Sequence, residues 1–296
     1  MVEFPISGVE TYWWLPTLVA FCISLFTSTA GVTGAFILLP FSVSILGYTS
    51  PGASPTNLLY NIVAIPTGAR RFQREGRMLW SLAWVTGLGT VPGLVIGAVI
   101  RLKYLPDPRG FKLFAGLVLL SLGIKLVVDL IARRKKPLPH SNSGHRVEQS
   151  KLTLKTLTYE FAGGAWSLPI LPIVAVSFLV GIVGGIYGIG GGAFLSPYLV
   201  AVYQLPVHSI AGAMLLGTFI TSVAGALIYM AVSPLIGGSV LWPDWWLGLS
   251  FGLGGALGIY VGARLQRFVP AKIIKVILIL ALLFIAVRYI LGFYIN

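Results

Sequence analysis

Apolar residues run along this chain in blocks, five on either side of one long polar stretch. The blocks lie at about 15–30, 35–48, 54–69, 79–102 and 111–131, then at 170–187, 192–205, 209–231, 244–263 and 273–292. Blocks of this length without period-two alternation predict helices whose surroundings are apolar on most sides. Between Glu160 and Asp244 there is no Asp or Glu, and from Phe161 to Ala263 no Lys or Arg. No water-facing surface can be built from such a stretch, so the blocks are expected in a bilayer. The polar stretch RRKKPLPHSNSGHRVEQSKLTLKTLTYE separates them. It divides the chain into a first membrane repeat (1–132), a basic linker (133–168) and a second membrane repeat (169–296).

The two sets of blocks superimpose. At a shift of 157, GVTGAFILLP (Gly31 to Pro40) lies on GIGGGAFLSP (Gly188 to Pro197), and Val19, Phe21, Gly34, Leu38 and Gly68 meet Val176, Phe178, Gly191, Leu195 and Gly225. At a shift of 165, Trp80 meets Trp245, and Gly87, Gly89, Gly93 and Gly97 meet Gly252, Gly254, Gly258 and Gly262. Leu and Val match one another freely in any two greasy helices. Aligned glycines, prolines and tryptophans do not, and they carry the duplication.

Lys and Arg set the expected orientation. The linker, with Arg133, Arg134, Lys135, Lys136, Arg146, Lys151 and Lys155, is placed in the cytoplasm, and so is the loop holding Arg70, Arg71, Arg74 and Arg77. The repeat partner of that loop, Ser233 to Pro243, has no basic residue, so the two copies face opposite sides. The expected fold is an all-α polytopic membrane protein of two inverted repeats, with about five hydrophobic segments each and broken or re-entrant half-helices. Both termini then lie outside. One cluster, Arg101, Lys103, Arg109 and Lys112, runs against the rule.

Composition fits this reading: 56% of residues are hydrophobic and 10% charged, with a mean hydropathy of +0.90. The net charge of +13 sits in clusters at block ends rather than on one face, which speaks for topology signals and against nucleic acid. Lipid is the expected surrounding, in the inner cell membrane. The single Cys22 excludes an intrachain disulfide. The first residues, MVEFPISGVETYWW, carry no Lys or Arg and do not read as a cleavable leader, so the chain is expected to be mature as it stands. All eight tryptophans fall near block ends, as interfacial anchors do.

The glycines divide into two kinds. Gly89, Gly93 and Gly97, with Gly254, Gly258 and Gly262, recur at helical spacing and predict close helix packing. Gly188, Gly190, Gly191 and Gly192 are crowded together ahead of Pro197, which breaks a helix instead of smoothing its face. Irregular backbone at membrane depth persists only inside protein or beside a wet cavity. The blocks at 35–48, 54–69 and 192–205 are also short for a crossing of about 20 residues. Short broken segments at matching places in two halves point to a transporter's binding site, with half-helix N-termini facing an anion. Ser54 and Pro55 read as an N-cap and first residue of another short helix, with a counterpart opening near Ser209.

The candidate substrate site is therefore Gly31, Thr33, Gly34, Asn57, Asn61, Gly188, Gly190, Gly191, Gly192, Ser196, Thr218 and Thr221, with Ser222 beside them. Asn61 and Thr218 are repeat-equivalent. Hydroxyls in membrane helices often bond back to their own carbonyls, whereas an amide is hard to bury idle. Arg70 and Arg71 are candidates for attracting anions at an inner mouth, beside their ordinary reading as topology signals.

Nothing in the chain reads as an enzyme. GIGGGA matches a dinucleotide fingerprint at Gly188, Gly190 and Ala193, but no acidic residue follows about 20 positions on and no short strand precedes it. There is no metal-hydrolase or nucleophile motif, and no cofactor or metal is expected. Intramembrane carboxylates are scarce. Asp129 sits four residues from Lys125, Asp244 at an outer edge, and His208 at a segment end. An anion leaving a negative cytoplasm gains about 2.3 kcal/mol per charge per 100 mV, so export without a coupling ion is expected. A channel, or import of another small anion, is the competing account.

At its paired glycine motifs, GVTGAFILLP and GIGGGAFLSP, and in the basic loop ARRFQREGR, the chain resembles the TauE/SafE family of sulfite exporters and related organosulfonate transporters. The resemblance covers both halves. It implies export of sulfite, sulfoacetate or a related C2 sulfonate, whereas the residues by themselves imply a small anion. Thr33 and Ala35 stand where the second copy has Gly190 and Gly192, a departure from the family's glycine-rich pattern.

Overall fold

The computed structural model describes residues 1–29, 33–132, 146–161, 163–237, 241–265 and 271–295. These form ten helices: α1 (Leu15–Thr29), α2 (Ala35–Ser44), α3 (Ala53–Arg74), α4 (Trp80–Lys103), α5 (Pro108–Ala132), α6 (Ile170–Tyr187), α7 (Gly192–Tyr203), α8 (Val207–Gly237), α9 (Trp245–Leu265) and α10 (Ala271–Ile295). Six of them, α4, α5, α6, α8, α9 and α10, are long and apolar enough to cross a membrane. Their outer faces carry exposed large apolar side chains, among them Leu88, Val95, Ile124, Val128, Leu280 and Phe284. Only lipid accommodates so much exposed apolar surface. The fold is that of an all-α polytopic membrane protein.

Helix pairing follows a simple exchange. α4 lies along α6 and α1 along α9; α4 also packs on α8, and α3 on α9; α3 packs on α8, and α5 on α10. Replacing each helix by the one five places away returns the same set of pairs. The halves are thus interlocked, since α1 finds its main partner in α9 and α6 in α4.

Glycines make these two main contacts close. A Cβ on Gly93 would run into Phe178 O and Ile182 N of α6, and one on Gly97 into Ile182 O. On the other side, Cβ atoms on Gly254 and Gly258 would meet Thr17 O and Phe21 O of α1. Backbones at such range gain dispersion contacts that side chains would block. Gly93→Leu is therefore expected to prise α4 from α6 and to cost at least the 1–3 kcal/mol typical of overpacking. The check is a lower unfolding midpoint and loss of monodisperse protein, with exposed Leu88→Ala as an unaffected control.

Three features differ from the sequence reading. The block expected at 54–69 is a helix of 22 residues, about 33 Å long, so it is not a short element. The short helices are α1, α2 and α7, with 15, 10 and 12 residues. Ser54 does not cap α3. The helix opens at Ala53 behind Gly52, and the Ser54 hydroxyl reaches across to donate to Ile186 O at 3.1 Å.

The third difference is the presence of two small antiparallel sheets. β1 (Val2–Phe4) and β2 (Val9–Thr11) form a hairpin before α1; β3 (Val147–Leu152), β4 (Thr156–Phe161) and β5 (Gly164–Pro169) form a sheet before α6. On β4 alternate residues are buried, and Leu157, Tyr159, Phe161 and Leu168 pack with Leu79, Leu195 and Ile210. The stretch expected as a linker thus includes a sheet with one face packed on the helices. In the hairpin turn, the Ser7 N–H and hydroxyl donate to Asp244 Oδ2 at 2.9 and 2.6 Å. Oδ1 of the same carboxylate accepts Leu247 N at 3.0 Å. Asp244 is fully buried and serves as the N-cap of α9. The side chains of Asp129 and His208 lie outside the described residues.

Candidate functional site

Helical structure is interrupted at two buried places, at Thr33 and Gly34 ahead of α2 and at Gly188 to Gly191 between α6 and α7. At the second, Gly188 (φ +81°) and Gly190 (φ +75°) adopt left-handed backbone, which a Cβ disfavours. Space forbids a side chain as well, because a Cβ on Gly188 would lie 2.5 Å from Ser54 O and one on Gly190 2.8 Å from Thr218 Cγ2. The glycines let α3 and α8 pass directly against the broken backbone.

Asn57 of α3 joins the two breaks. Its Nδ2 donates to Ala35 O at 2.9 Å and to Gly188 O at 2.8 Å, so one buried amide satisfies a carbonyl from each half. One turn on, Asn61 Nδ2 donates to Ile189 O at 3.2 Å. Spacing of four on one helix puts both amides on the same face, and that face looks onto both breaks. Three tyrosines reinforce the arrangement. Tyr60 Oη accepts Gly34 N at 3.2 Å and shares a hydrogen bond with Ser24 at 2.8 Å. Tyr187 donates to Phe36 O at 2.8 Å, and Tyr229 to Gly185 O at 2.6 Å.

α8 supplies the hydroxyls. Thr221 Oγ1 accepts Gly191 N at 3.3 Å, and Thr218 Oγ1 accepts Gly192 N at 3.1 Å. Each threonine passes its own proton to its helix, Thr218 to Met214 O and Thr221 to Thr218 O. Asn61 and Thr218, equivalent in the repeat, thus address the same second break, the amide at Ile189 O and the hydroxyl at Gly192 N.

What is left over defines the chemistry. Thr33 Oγ1, Asn57 Oδ1, Asn61 Oδ1 and Ser222 Oγ are buried without a hydrogen-bond partner among the described residues. Buried polar atoms of this kind call for a ligand or water. Two are pure acceptors, and two are hydroxyls that also donate. Of the remaining candidates, Gly31 lies outside the described residues, and Ser196 is half-buried in α7. Arg70 and Arg71 are exposed near the far end of α3, nine and ten residues, or about 14–15 Å, from Asn61. Arg71 is engaged by Glu75 at 2.8 Å.

Tyr60, Tyr187 and Tyr229 were not singled out from the sequence, and Ser54 was read only as a helix cap. Tyrosine in the middle of an apolar block is a usable signal, since its hydroxyl needs a partner once buried. Tyr187, directly before the glycine cluster, is the plainest case.

Broken helices meeting at a polar centre, within a shell of lipid-facing helices, are the build of a polytopic membrane transport protein. The chain belongs to the TauE/SafE family: the family model described as "Sulfite exporter TauE/SafE" matches residues 17–289. Among curated relatives, "Probable membrane transporter protein YunE" of Bacillus subtilis is 24% identical over 202 residues, 65% of each chain. "Probable membrane transporter protein YdhB" of the same organism is 30% identical over 34% of this chain and 38% of its own. A "Probable membrane transporter protein" of Xylella fastidiosa is 24% identical over 86% of this chain and 84% of its own. The match thus spans less than two thirds of the first two relatives' lengths and most of the third's. No solved structure matches the chain.

Proposed function

We propose that this protein exports a small oxyanion, sulfite or a C2 sulfonate such as sulfoacetate, by alternating access at the meeting point of the two breaks. The observation that carries the reading is the Asn57 amide, hydrogen-bonded to Ala35 O of one break and Gly188 O of the other. A side chain that ties two interrupted helices together at their interruptions makes them move as partners about one point. α2 and α7 both begin there, which turns two positive dipole ends toward the centre. The hydroxyls of Thr218 and Thr221 stand at the start of α7 and Thr33 lies two residues ahead of α2, and an inverted sense of the two repeats would supply two equivalent openings.

The unpartnered amide oxygens refine the choice of ion. Asn57 Oδ1 and Asn61 Oδ1 repel a bare oxyanion and welcome an O–H. Hydrogen sulfite carries a proton on a monoanion and suits that mixture of donors and acceptors better than a fully deprotonated dianion. The membrane potential is sufficient to drive its exit.

The test is counterflow in proteoliposomes loaded with unlabelled sulfite or sulfoacetate, following entry of the labelled anion. Saturable uptake is expected, reduced at least tenfold in Asn61→Ala, the order of effect of one buried hydrogen bond at about 1.4 kcal/mol. Absence of exchange by folded protein would reject these anions. Uptake that never saturates would make the protein a channel, and flux driven by a pH gradient at zero potential would replace potential-driven export with proton coupling.

A further inference from the structure

Away from the breaks, at one end of the α5 and α10 pair, a cavity of about 240 Å³ is lined by Ser44, Arg109, Lys112, Arg288, Tyr289 and Phe293. Three cationic side chains from two helices face one small space, and among the described residues no carboxylate lines it. Asp107, the nearest acid in sequence, is committed elsewhere, since its Oδ2 accepts Arg109 N at 3.0 Å and Gly110 N at 3.1 Å at the start of α5. The walls are held in place. Ser44 and Tyr289 share a hydrogen bond of 2.6 Å, and Tyr289 also reaches Pro40 O at 3.2 Å. Arg109 is steadied by Phe293, donating to its carbonyl at 3.1 Å with the guanidinium 5.6 Å from the ring centroid.

Like charges gathered around a void repel one another, and the repulsion is relieved when an anion enters. A group with several oxygens in different directions meets Arg109, Lys112 and Arg288 together, which a single carboxylate does less well. The surroundings favour a lipid. On α10, Phe284, Val287 and Leu291 are exposed at 68, 48 and 51%, so the cavity sits at the end of an apolar ridge on which acyl chains can lie.

The same pocket answers a discrepancy in the charge pattern. Arg101, Lys103, Arg109 and Lys112 sit where the distribution of basic residues expects few. Arg101 is fully buried, with its guanidinium 3.8 Å from the Phe111 ring centroid, and is no surface signal at all. Arg109 and Lys112 belong to the pocket. We propose that this cavity is a binding site for a phosphate group, presented by the headgroup of an anionic phospholipid or by free phosphate.

The experiment uses the full-length protein in detergent. Native mass spectrometry with equal amounts of short-chain phosphatidylglycerol and phosphatidylcholine reads the lipid arm, and calorimetric titration with inorganic phosphate reads the free-ion arm. The comparison is with the double variant Lys112→Gln, Arg288→Gln, both positions at the rim, and with Arg288→Lys, which keeps the charge. Preferential retention of phosphatidylglycerol is expected, weakened roughly thirtyfold in the double variant, as befits two basic groups beside an anionic headgroup, and kept in Arg288→Lys. Phosphate binding without lipid preference, lost in the double variant, would make the free ion the natural occupant. If the wild type binds neither probe, or a double variant with an unchanged unfolding midpoint binds both as well as wild type does, the proposal is overturned.

Discussion

Asn57→Asp is expected to lower the unfolding midpoint more than any other single change at the breaks, and to reduce anion counterflow by at least a hundredfold. The substitution keeps size and shape and removes both N–H groups. Ala35 O and Gly188 O, at 2.9 and 2.8 Å from the amide nitrogen, would then face a carboxylate oxygen. Each stripped carbonyl costs about 1–3 kcal/mol. The carboxylate, at a position only 4% exposed, either stays charged at a further cost of several kcal/mol or takes up a proton. The two carbonyls at their lower bound, about 2 kcal/mol together, with even about 1 kcal/mol for the buried carboxyl group, come to about 3 kcal/mol, a hundredfold in any equilibrium that requires the breaks to be joined.

Two controls separate charge from hydrogen bonding. Asn57→Leu also strands both carbonyls but buries no charge, so its loss is expected to fall short of that of Asn57→Asp. Asn61→Leu strands one carbonyl, Ile189 O, whose bond is longer at 3.2 Å, and is expected to be milder still. Thermal unfolding and counterflow on the three variants check the order. A result in which Asn57→Asp exchanges anion as wild type does would show that the bridge between the breaks is dispensable.

Much of this architecture can be read in the chain, because lipid and close packing leave blunt marks. Gly89, Gly93 and Gly97 announce a face on which α6 lies, and Gly254, Gly258 and Gly262 the matching face for α1, since only glycine allows backbone to approach backbone. The crowded Gly188 to Gly192 announces a break for the opposite reason, being too dense to be a face. The β elements leave fainter marks. TLTYEF on β4 alternates over six residues only and sits beside Lys151 and Lys155, so its polar company hides a packed inner face. The length of α3 is hidden too, because its basic last turns belong to the same helix as Asn57, where hydropathy alone ends it early.

At the site, residue types were legible and partners were not. Asn57 and Asn61 stand out because an amide in an apolar block needs company, yet no spacing rule shows that Asn57 reaches Gly188, 131 positions along. Ser54 illustrates the limit. Before Pro55 it has the local signature of a helix cap, and tertiary structure overrides that signature with Ile186 O. Contacts between halves that a duplication interlocks depend on the crossing of α3 over the end of α6, which no local pattern encodes.

Gly192→Ala and Ala35→Gly, at repeat-equivalent positions, are expected to have unequal consequences. A Cβ on Gly192 would collide with Met214 O and Thr218 Oγ1, the hydroxyl that accepts Gly192 N. Backbone cannot retreat without moving α8, so α7 must shift, the Thr218 bond at its start is lost, and a cost of at least 1–3 kcal/mol follows. Counterflow is expected to fall ten- to a hundredfold, with the thermal midpoint lowered. Ala35 already carries a methyl group at the corresponding place in the first half and is fully buried. Removing it costs about 1 kcal/mol in helix propensity and leaves the carbonyl that Asn57 holds, so exchange should continue at a moderately reduced rate. If the duplication were carried through to the side chains, both positions would tolerate the same residues. The expected difference follows from Thr218 standing opposite Gly192 where Asn61 occupies the equivalent position. An alanine tolerated at 192 would mean that α7 approaches α8 less closely than the Thr218 bond requires, and the proposed anion site would then rest on the Asn57 and Asn61 side alone.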